Sequence, residues 1–148
     1  MTKLSFLGVL SNMNEHFEWP IRVYYEDTDA GGIVYYANYL KFLERARTEW
    51  LRSLGIEQDS WLDHNRAFVV RQVELDLREA VRFNAELTVT VKVEQLKRAS
   101  IVFTQRVLGK QGQLHCQATV KAACVDKQAM RAVAMPEPIH TAISAALG

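Results

Sequence analysis

Tyr36-Ala37-Asn38-Tyr39-Leu40-Lys41-Phe42-Leu43-Glu44-Arg45-Ala46-Arg47-Thr48-Glu49-Trp50-Leu51-Arg52-Ser53-Leu54-Gly55 is the stretch on which the fold turns. Apolar residues at Tyr36, Tyr39, Leu40, Leu43, Ala46, Trp50, Leu51 and Leu54 recur at intervals of three and four, the spacing of one helix face. Ala37 and Phe42 widen that face, so the helix needs cover on more than one side. Gly55, directly after Leu54, supplies a C-terminal stop, and the predicted helix runs over 36–54.

On the N-terminal side, Trp19-Pro20-Ile21-Arg22-Val23-Tyr24-Tyr25 is rich in β-branched and aromatic residues, and proline is tolerated at a strand start. It predicts the first strand. Residues 1–17 read as a flexible extension, with Met13 as an alternative start. The apolar run over 4–10 is far short of the roughly 20 residues that span a bilayer, and no small-residue cleavage site of the secretory kind follows it.

Beyond the helix, a short helical turn over 59–64 is expected, and then the period changes to two. Val69, Arg71, Val73, Leu75 and Leu77 are expected on one strand face. Leu87, Val89, Val91 and Val93 form a second face, and Ile101, Phe103, Gln105 and Val107 a third. Gly109-Lys110-Gln111-Gly112 reads as a hairpin turn into a strand over 114–125, with Cys116, Ala118, Val120, Ala122 and Cys124 facing inward. Pro136 and Pro138 close the sheet region and leave a tail over 136–148 whose 139–147 segment suits a helix. One strand, one long helix and then four or five antiparallel strands define an α+β fold, not a βαβ alternation. A single helix covers only part of such a sheet, so a partner subunit is expected on the remaining face or edge.

The chain has 148 residues, the size of one ordinary domain, and its apolar fraction of 49% is ample for a core. Eighteen basic against 17 acidic residues leave a net charge of +1, so no global field points to nucleic acid or an anionic membrane. Two cysteines, Cys116 and Cys124, are too few for a disulfide scaffold and lack metal-site spacing; a reduced, cytoplasmic setting is expected.

Several familiar chemistries are missing. There is no G-x-S-x-G elbow, no phosphate-binding G-x4-G-K-[ST] loop and no H-E-x-x-H zinc motif. Asp27-Thr28-Asp29 superficially opens a calcium loop, yet its fifth position is Gly31 and its closing position Asn38, which fails the ligand set. What remains is Asp29 just ahead of Gly31-Gly32 and the helix start. A helix N-terminus presents unpaired N–H groups and a partial positive charge, a natural oxyanion site. Two glycines let a ligand carbonyl approach the backbone, with Asp29 beside it as nucleophile or as base for water. The same spacing also suits an aspartate that merely caps the helix or closes a turn, and spacing alone ranks that reading first.

The stretch from Tyr24-Tyr25-Glu26-Asp27-Thr28-Asp29-Ala30-Gly31-Gly32-Ile33-Val34 to Tyr35-Tyr36-Ala37-Asn38-Tyr39, with Glu44-Arg45-Ala46-Arg47 behind it, resembles the hotdog-fold 4-hydroxybenzoyl-CoA thioesterase family. Within it the likeness is greatest to the Tol-Pal-associated acyl-CoA thioesterase subgroup, through Phe68-Val69-Val70-Arg71, Val102-Phe103-Thr104-Gln105-Arg106 and Cys124-Val125-Asp126. It covers a domain over 18–135. The resemblance implies a sheet curled round the central helix, a homodimer often paired into a homotetramer, and active sites at the subunit interface. It puts the catalytic aspartate on Asp29 and the thioester-polarising backbone N–H on Tyr36, which reverses the ranking left by spacing alone. The Tol-Pal-associated subgroup usually carries histidine where this chain has Tyr36; the hydroxybenzoyl enzymes carry tyrosine there.

Gly31, Gly32 and Val34 are accordingly expected at the substrate, and Lys97, Arg98 and Ser100, at a hairpin start, at the phosphates of coenzyme A. A solvated turn is the competing reading for that basic pair. Glu44 is a secondary candidate, because a related hotdog branch sets its carboxylate on the central helix, but an ion pair with Arg45, Arg47 or a neighbouring strand is the stronger expectation. His64, His115, Cys116 and Cys124 have no partner at chemical spacing. The expected function is hydrolysis of an acyl-CoA thioester to free acid and CoA, without metal or redox cofactor. The alternative is a non-catalytic module that binds acyl groups or acyl carrier protein. A hotdog dehydratase is a weaker third option, since no histidine lies near Asp29 in sequence.

Overall fold

The computed structural model describes residues 17–59 and 65–148. The extension, except for Phe17, and all but the first residue of the expected 59–64 turn lie outside them. Strand β1 spans Phe17–Arg22, helix α1 Tyr39–Ser53, and four long strands follow: β2 Arg66–Leu77, β3 Glu86–Leu96, β4 Ser100–Gly109 and β5 Leu114–Asp126. A short β6, Arg131–Ala132, and a C-terminal helix α2, Glu137–Ala146, complete the described chain. The strands pair antiparallel in the order β1-β3-β4-β5-β2, with β6 joined to β5.

Helix α1 buries Tyr39, Phe42, Leu43, Ala46, Trp50 and Leu51, each large side chain contributing about 1.5–3 kcal/mol by leaving water. It packs over β1 and β3, and Trp50 meets the Phe103 ring edge-on at 5.6 Å from β4. The stop at Gly55 is as expected. Gly55 takes φ +82°, and the bonds from Ile56 N–H to Leu51 O and from Gly55 N–H to Arg52 O form a Schellman cap. The start differs from the sequence expectation: Tyr36–Asn38 is a 3₁₀ turn that leads into the α-helix at Tyr39.

The strand faces of β3, β4 and β5 are as the period predicts, and the 109–112 turn joins β4 to β5 with Gly112 at φ +86°. Strand β1 ends at Arg22 instead of reaching Tyr25, because the Tyr24 N–H bonds to the Asp27 carboxylate and the chain turns there. In β2 a bulge at Arg71 changes the phase. Val73, Leu75 and Leu77 stand opposite the inward residues Val120, Ala118 and Cys116 as expected, but beyond the bulge it is Val70 and Phe68 that oppose Ala122 and Cys124. Val69 and Arg71 therefore leave the inner face. Strand β2 is also a free edge of the sheet, and its inward residues are incompletely covered, with Val70 48%, Val73 37% and Leu77 51% exposed. The tail packs back through α2, whose Ile143 is fully buried.

Candidate active site

The turn that carries Asp29 is built by its neighbours. Asp27 is buried, and its carboxylate accepts the Tyr24 N–H at 2.9 Å. Its carbonyl accepts both the Tyr35 N–H and the Asn38 amide, each at 2.9 Å. With a bridge between Thr28 and Val34, these bonds tie the two legs of the turn together directly below the helix start. Of the two aspartates in Asp27-Thr28-Asp29, one is a buried brace and the other is presented outward.

Asp29 stands exposed at the tip. Its N–H donates to Ile33 O at 2.9 Å, its carbonyl accepts from Gly32 N–H at 3.0 Å, and its carboxylate Oδ1 accepts the Gly31 N–H at 2.8 Å. The aspartate thus closes a turn and does not cap the helix, whose 3₁₀ opening has no side-chain cap. Gly32 sits at φ +81°, a conformation an L side chain resists. A Cβ on Gly31 would lie 3.2 Å from Asp29 Oδ1, so the bare backbone there is what lets the carboxylate settle. Among the described residues no cation pairs with Asp29; one oxygen is oriented by a backbone N–H and the other is open.

The turn is fixed to the loop after β2. Val34 donates its N–H to Val81 O at 2.8 Å, and Ile33 bridges Arg82. The Val34 side chain itself is buried in the core. Tyr36 is exposed and opens the helical run; the Asn38 N–H is already taken by Tyr35 O at 2.8 Å, whereas the Tyr36 N–H, the first of the run, has no intrahelical acceptor. Around this tip lies exposed aromatic surface. Tyr25 stacks on Phe83 with centroids 3.9 Å apart, and Tyr35 leans on Tyr36 at 5.0 Å. Tyr39, by contrast, is a core residue whose hydroxyl burial pushes up to about 12.

Lys97 and Arg98 form the exposed turn between β3 and β4, closed by the Lys97 N–H to Ser100 O bond of 2.8 Å, with Ser100 opening β4. The tail passes beside them, since Met135 N–H bonds to Arg98 O. Arg98, Met135, Glu137 and His140 line a surface cleft there.

Glu44 makes no ion pair within 4 Å among the described residues, contrary to its expected pairing. It lines a cavity of about 350 Å³ together with Arg47, Thr48, Leu51 and the wall of β2, β4 and β5. Arg47 donates to the fully buried Gln105 at 2.8 Å, and Gln105 donates in turn to the carbonyls of Leu43 and Thr90. Burial pulls the Arg47 guanidinium down to about 10, against the opposing pull of Glu44, so it remains charged at neutral pH. His115 is buried, with Nδ1 3.0 Å from Glu79 O. Cys116 and Cys124 are buried free thiols.

Sequence reading missed the Arg47–Gln105 link and the anchoring of the Asp29 turn by Val81 and Arg82. Both join segments tens of residues apart, with no local pattern to announce them.

Residues 23–143 match a family model described as the thioesterase-like superfamily. An acyl-CoA thioesterase of Haemophilus influenzae is 45% identical over 88% of this chain and 96% of its own length. An acyl-CoA thioester hydrolase of Escherichia coli is 42% identical over 83% and 92%. Among solved structures, a probable thioesterase from Bartonella henselae superposes with TM-score 0.73 at 29% identity, covering 82% of this chain and 99% of that one. A 1,4-dihydroxy-2-naphthoyl-CoA thioesterase from Synechocystis superposes with TM-score 0.81 over 87% and 96%, a likeness of fold alone at 21% identity. The curled antiparallel sheet around one long helix is the hotdog fold, and the chain belongs to the thioesterase-like superfamily.

Proposed function

We propose that this protein hydrolyses acyl-CoA thioesters to free acid and CoA, with Asp29 as the reactive carboxylate. The observation that carries the reading is the setting of Asp29: exposed, oriented through one oxygen by the Gly31 N–H, and placed a few residues ahead of a helix start whose first N–H, that of Tyr36, has no intrahelical acceptor. The thioester carbonyl oxygen accepts the Tyr36 N–H, which stabilises the negative charge that develops on it. The free oxygen of Asp29 attacks the carbonyl carbon, CoA thiolate leaves and takes up a proton, and water cleaves the resulting anhydride; alternatively Asp29 removes a proton from the attacking water. Both routes give the same products, and neither calls on a metal or redox cofactor. Gly31 and Gly32 keep the approach clear, and Val34 anchors the turn from behind.

Lys97, Arg98 and Ser100 are assigned to the phosphates of CoA, for which two exposed cations and a hydroxyl at one turn are suited. The active unit is a homodimer joined through the free edge of β2, with a homotetramer as its further assembly. The exposed apolar residues Val70, Val73 and Leu77 support that edge as the contact. The domain extends over 18–135, the protein works in the cytoplasm, and its likeness to the Tol-Pal-associated subgroup makes acyl carrier protein an additional acyl donor to examine. A thiol-release assay over acyl-CoAs from two to sixteen carbons tests the reading. Saturable release at one or more chain lengths is expected; binding without release would make the protein an acyl-binding module instead.

A further inference from the structure

The Asp29 turn owes its place to a segment that grips it on both legs. Residues 78–85, between β2 and β3, hold the entry leg: Asn84 N–H donates to Val23 O at 2.9 Å, Val23 N–H donates to Ala85 O at 3.0 Å, and the Phe83 ring stacks on Tyr25. The same segment holds the exit leg through the Val34 N–H to Val81 O bond of 2.8 Å and the bridge between Ile33 and Arg82. Where the Asp29 carboxylate stands relative to the Tyr36 N–H therefore depends on where residues 78–85 are set down.

The C-terminal end of the segment is fixed by running into β3 at Glu86. Its N-terminal end leaves the sheet at the free edge, beyond Leu77 and Cys116, the last pair between β2 and β5. His115 catches it there. Between β4 and β5 the pairing steps from Val107 with Cys116 to Leu108 with Leu114, so His115 is the extra residue of a bulge, a feature that re-aims side chains. The His115 carbonyl accepts the N–H groups of Arg78 at 2.9 Å and Glu79 at 3.2 Å, and its ring Nδ1 lies 3.0 Å from Glu79 O. A carbonyl only accepts, so Nδ1 carries the proton and donates. The ring is buried, 7% exposed, although His115 stands beside the exposed Arg78 and Glu79.

We infer that His115 is a positioning residue for the hydrolysis: its Nδ1–H bond to Glu79 O pins the start of the 78–85 segment and so fixes the Asp29 carboxylate against the Tyr36 N–H. The inference rests on the Asp29 reading and adds a residue that acts on that carboxylate from outside, without touching substrate. The two bonds to the His115 carbonyl belong to the backbone and survive a change of side chain. What a substitution removes is the third bond, which loosens the segment and leaves the sheet pairing intact. A misplacement of about 1 Å at a reacting group can cost about a hundredfold in rate, so a partial loosening has a measurable effect on kcat.

The test compares His115→Leu with His115→Asn. Leucine fills the space without a donor; asparagine sets its amide nitrogen where Nδ1 was. On an acyl-CoA that the wild type turns over, His115→Leu should lower kcat about tenfold and leave KM within about twofold, because no contact with the substrate is removed. His115→Asn should bring kcat back to within about threefold of wild type. Hydrogen exchange of the Val34 amide, followed by NMR, should quicken about tenfold in His115→Leu and recover in His115→Asn, with the amides of β3 unchanged in both. Wild-type kcat in His115→Leu, unchanged exchange at Val34, or a His115→Asn variant as slow as His115→Leu would each overturn the inference; so would a loss of thermal stability with kcat intact, the mark of a merely structural residue. Should His115→Leu not fold, His115→Gln, whose amide nitrogen overlays Nε2 and not Nδ1, is read in the same way. An Asp29→Asn variant that hydrolyses the ester at the wild-type rate would defeat the Asp29 reading separately, and exchange at Val34 would still show whether His115 pins the turn.

Discussion

Replacing Gln105 by Leu should destabilise the protein by about 3 kcal/mol, because it strands a charge. Gln105 is fully buried and accepts from Arg47 at 2.8 Å while donating to Leu43 O at 3.1 Å and Thr90 O at 3.2 Å. A hydrogen bond to a charged group contributes about 1.5–3 kcal/mol and a neutral one about 0.5–1.5 kcal/mol. Leu43 O belongs to the interior of α1 and retains its helical partner, and leucine adds apolar burial, so the larger sum is only partly lost. For a chain of this size about 3 kcal/mol lowers Tm by roughly 6–12 °C. Urea unfolding at fixed protomer concentration measures it. The double variant Arg47→Met with Gln105→Leu removes the stranded cation and should return to within about 1 kcal/mol of wild type. A single variant within about 0.5 kcal/mol of wild type, or a double variant no better than the single, would refute the reasoning.

Gly31→Ala brings a Cβ to 3.2 Å from Asp29 Oδ1; the carboxylate must shift, so kcat should fall about tenfold with stability nearly unchanged, measured by thiol release and urea unfolding. Removing both cations, Lys97→Ala with Arg98→Ala, should raise KM for acyl-CoA about tenfold, near 1.4 kcal/mol, and leave a pantetheine thioester unaffected. Burial pushes the Cys116 thiol up to about 12 and raises Cys124 as well, so neither should be alkylated in the folded protein at pH 8. The sign for stability follows: the folded state keeps its thiol proton where the unfolded state has lost it, so stability falls as pH rises from about 8.5 toward 12, which urea titrations across that range would show.

The central helix was legible because its apolar face is unbroken and Gly55 ends it in a left-handed conformation that suits glycine. Its first turn was not, since Tyr36-Ala37-Asn38 carries the right spacing but is bound from outside, through Asn38 to Asp27. The phase change in β2 was hidden because Phe68-Val69-Val70 is apolar throughout, so alternation does not say which side faces the core. Register came instead from pairing with β5. At the site, sequence marked Asp29 and the two glycines but left three roles open for the carboxylate. Structure removes the helix cap from that set: Asp27 is the brace, and Asp29 closes its own turn with one oxygen and presents the other. The anchoring of Ile33 and Val34 by Arg82 and Val81 is a tertiary contact that no local pattern encodes.

The most direct measurement is kcat of the Asp29→Asn variant on an acyl-CoA that the wild type turns over, followed by thiol release with folding checked by circular dichroism. Asparagine keeps an oxygen for the Gly31 N–H and so preserves the turn, but it is neither a nucleophile nor a base. The account predicts a folded protein whose kcat is lower by about a thousandfold or more, beyond 4 kcal/mol of barrier; hydrolysis near the wild-type rate would contradict it.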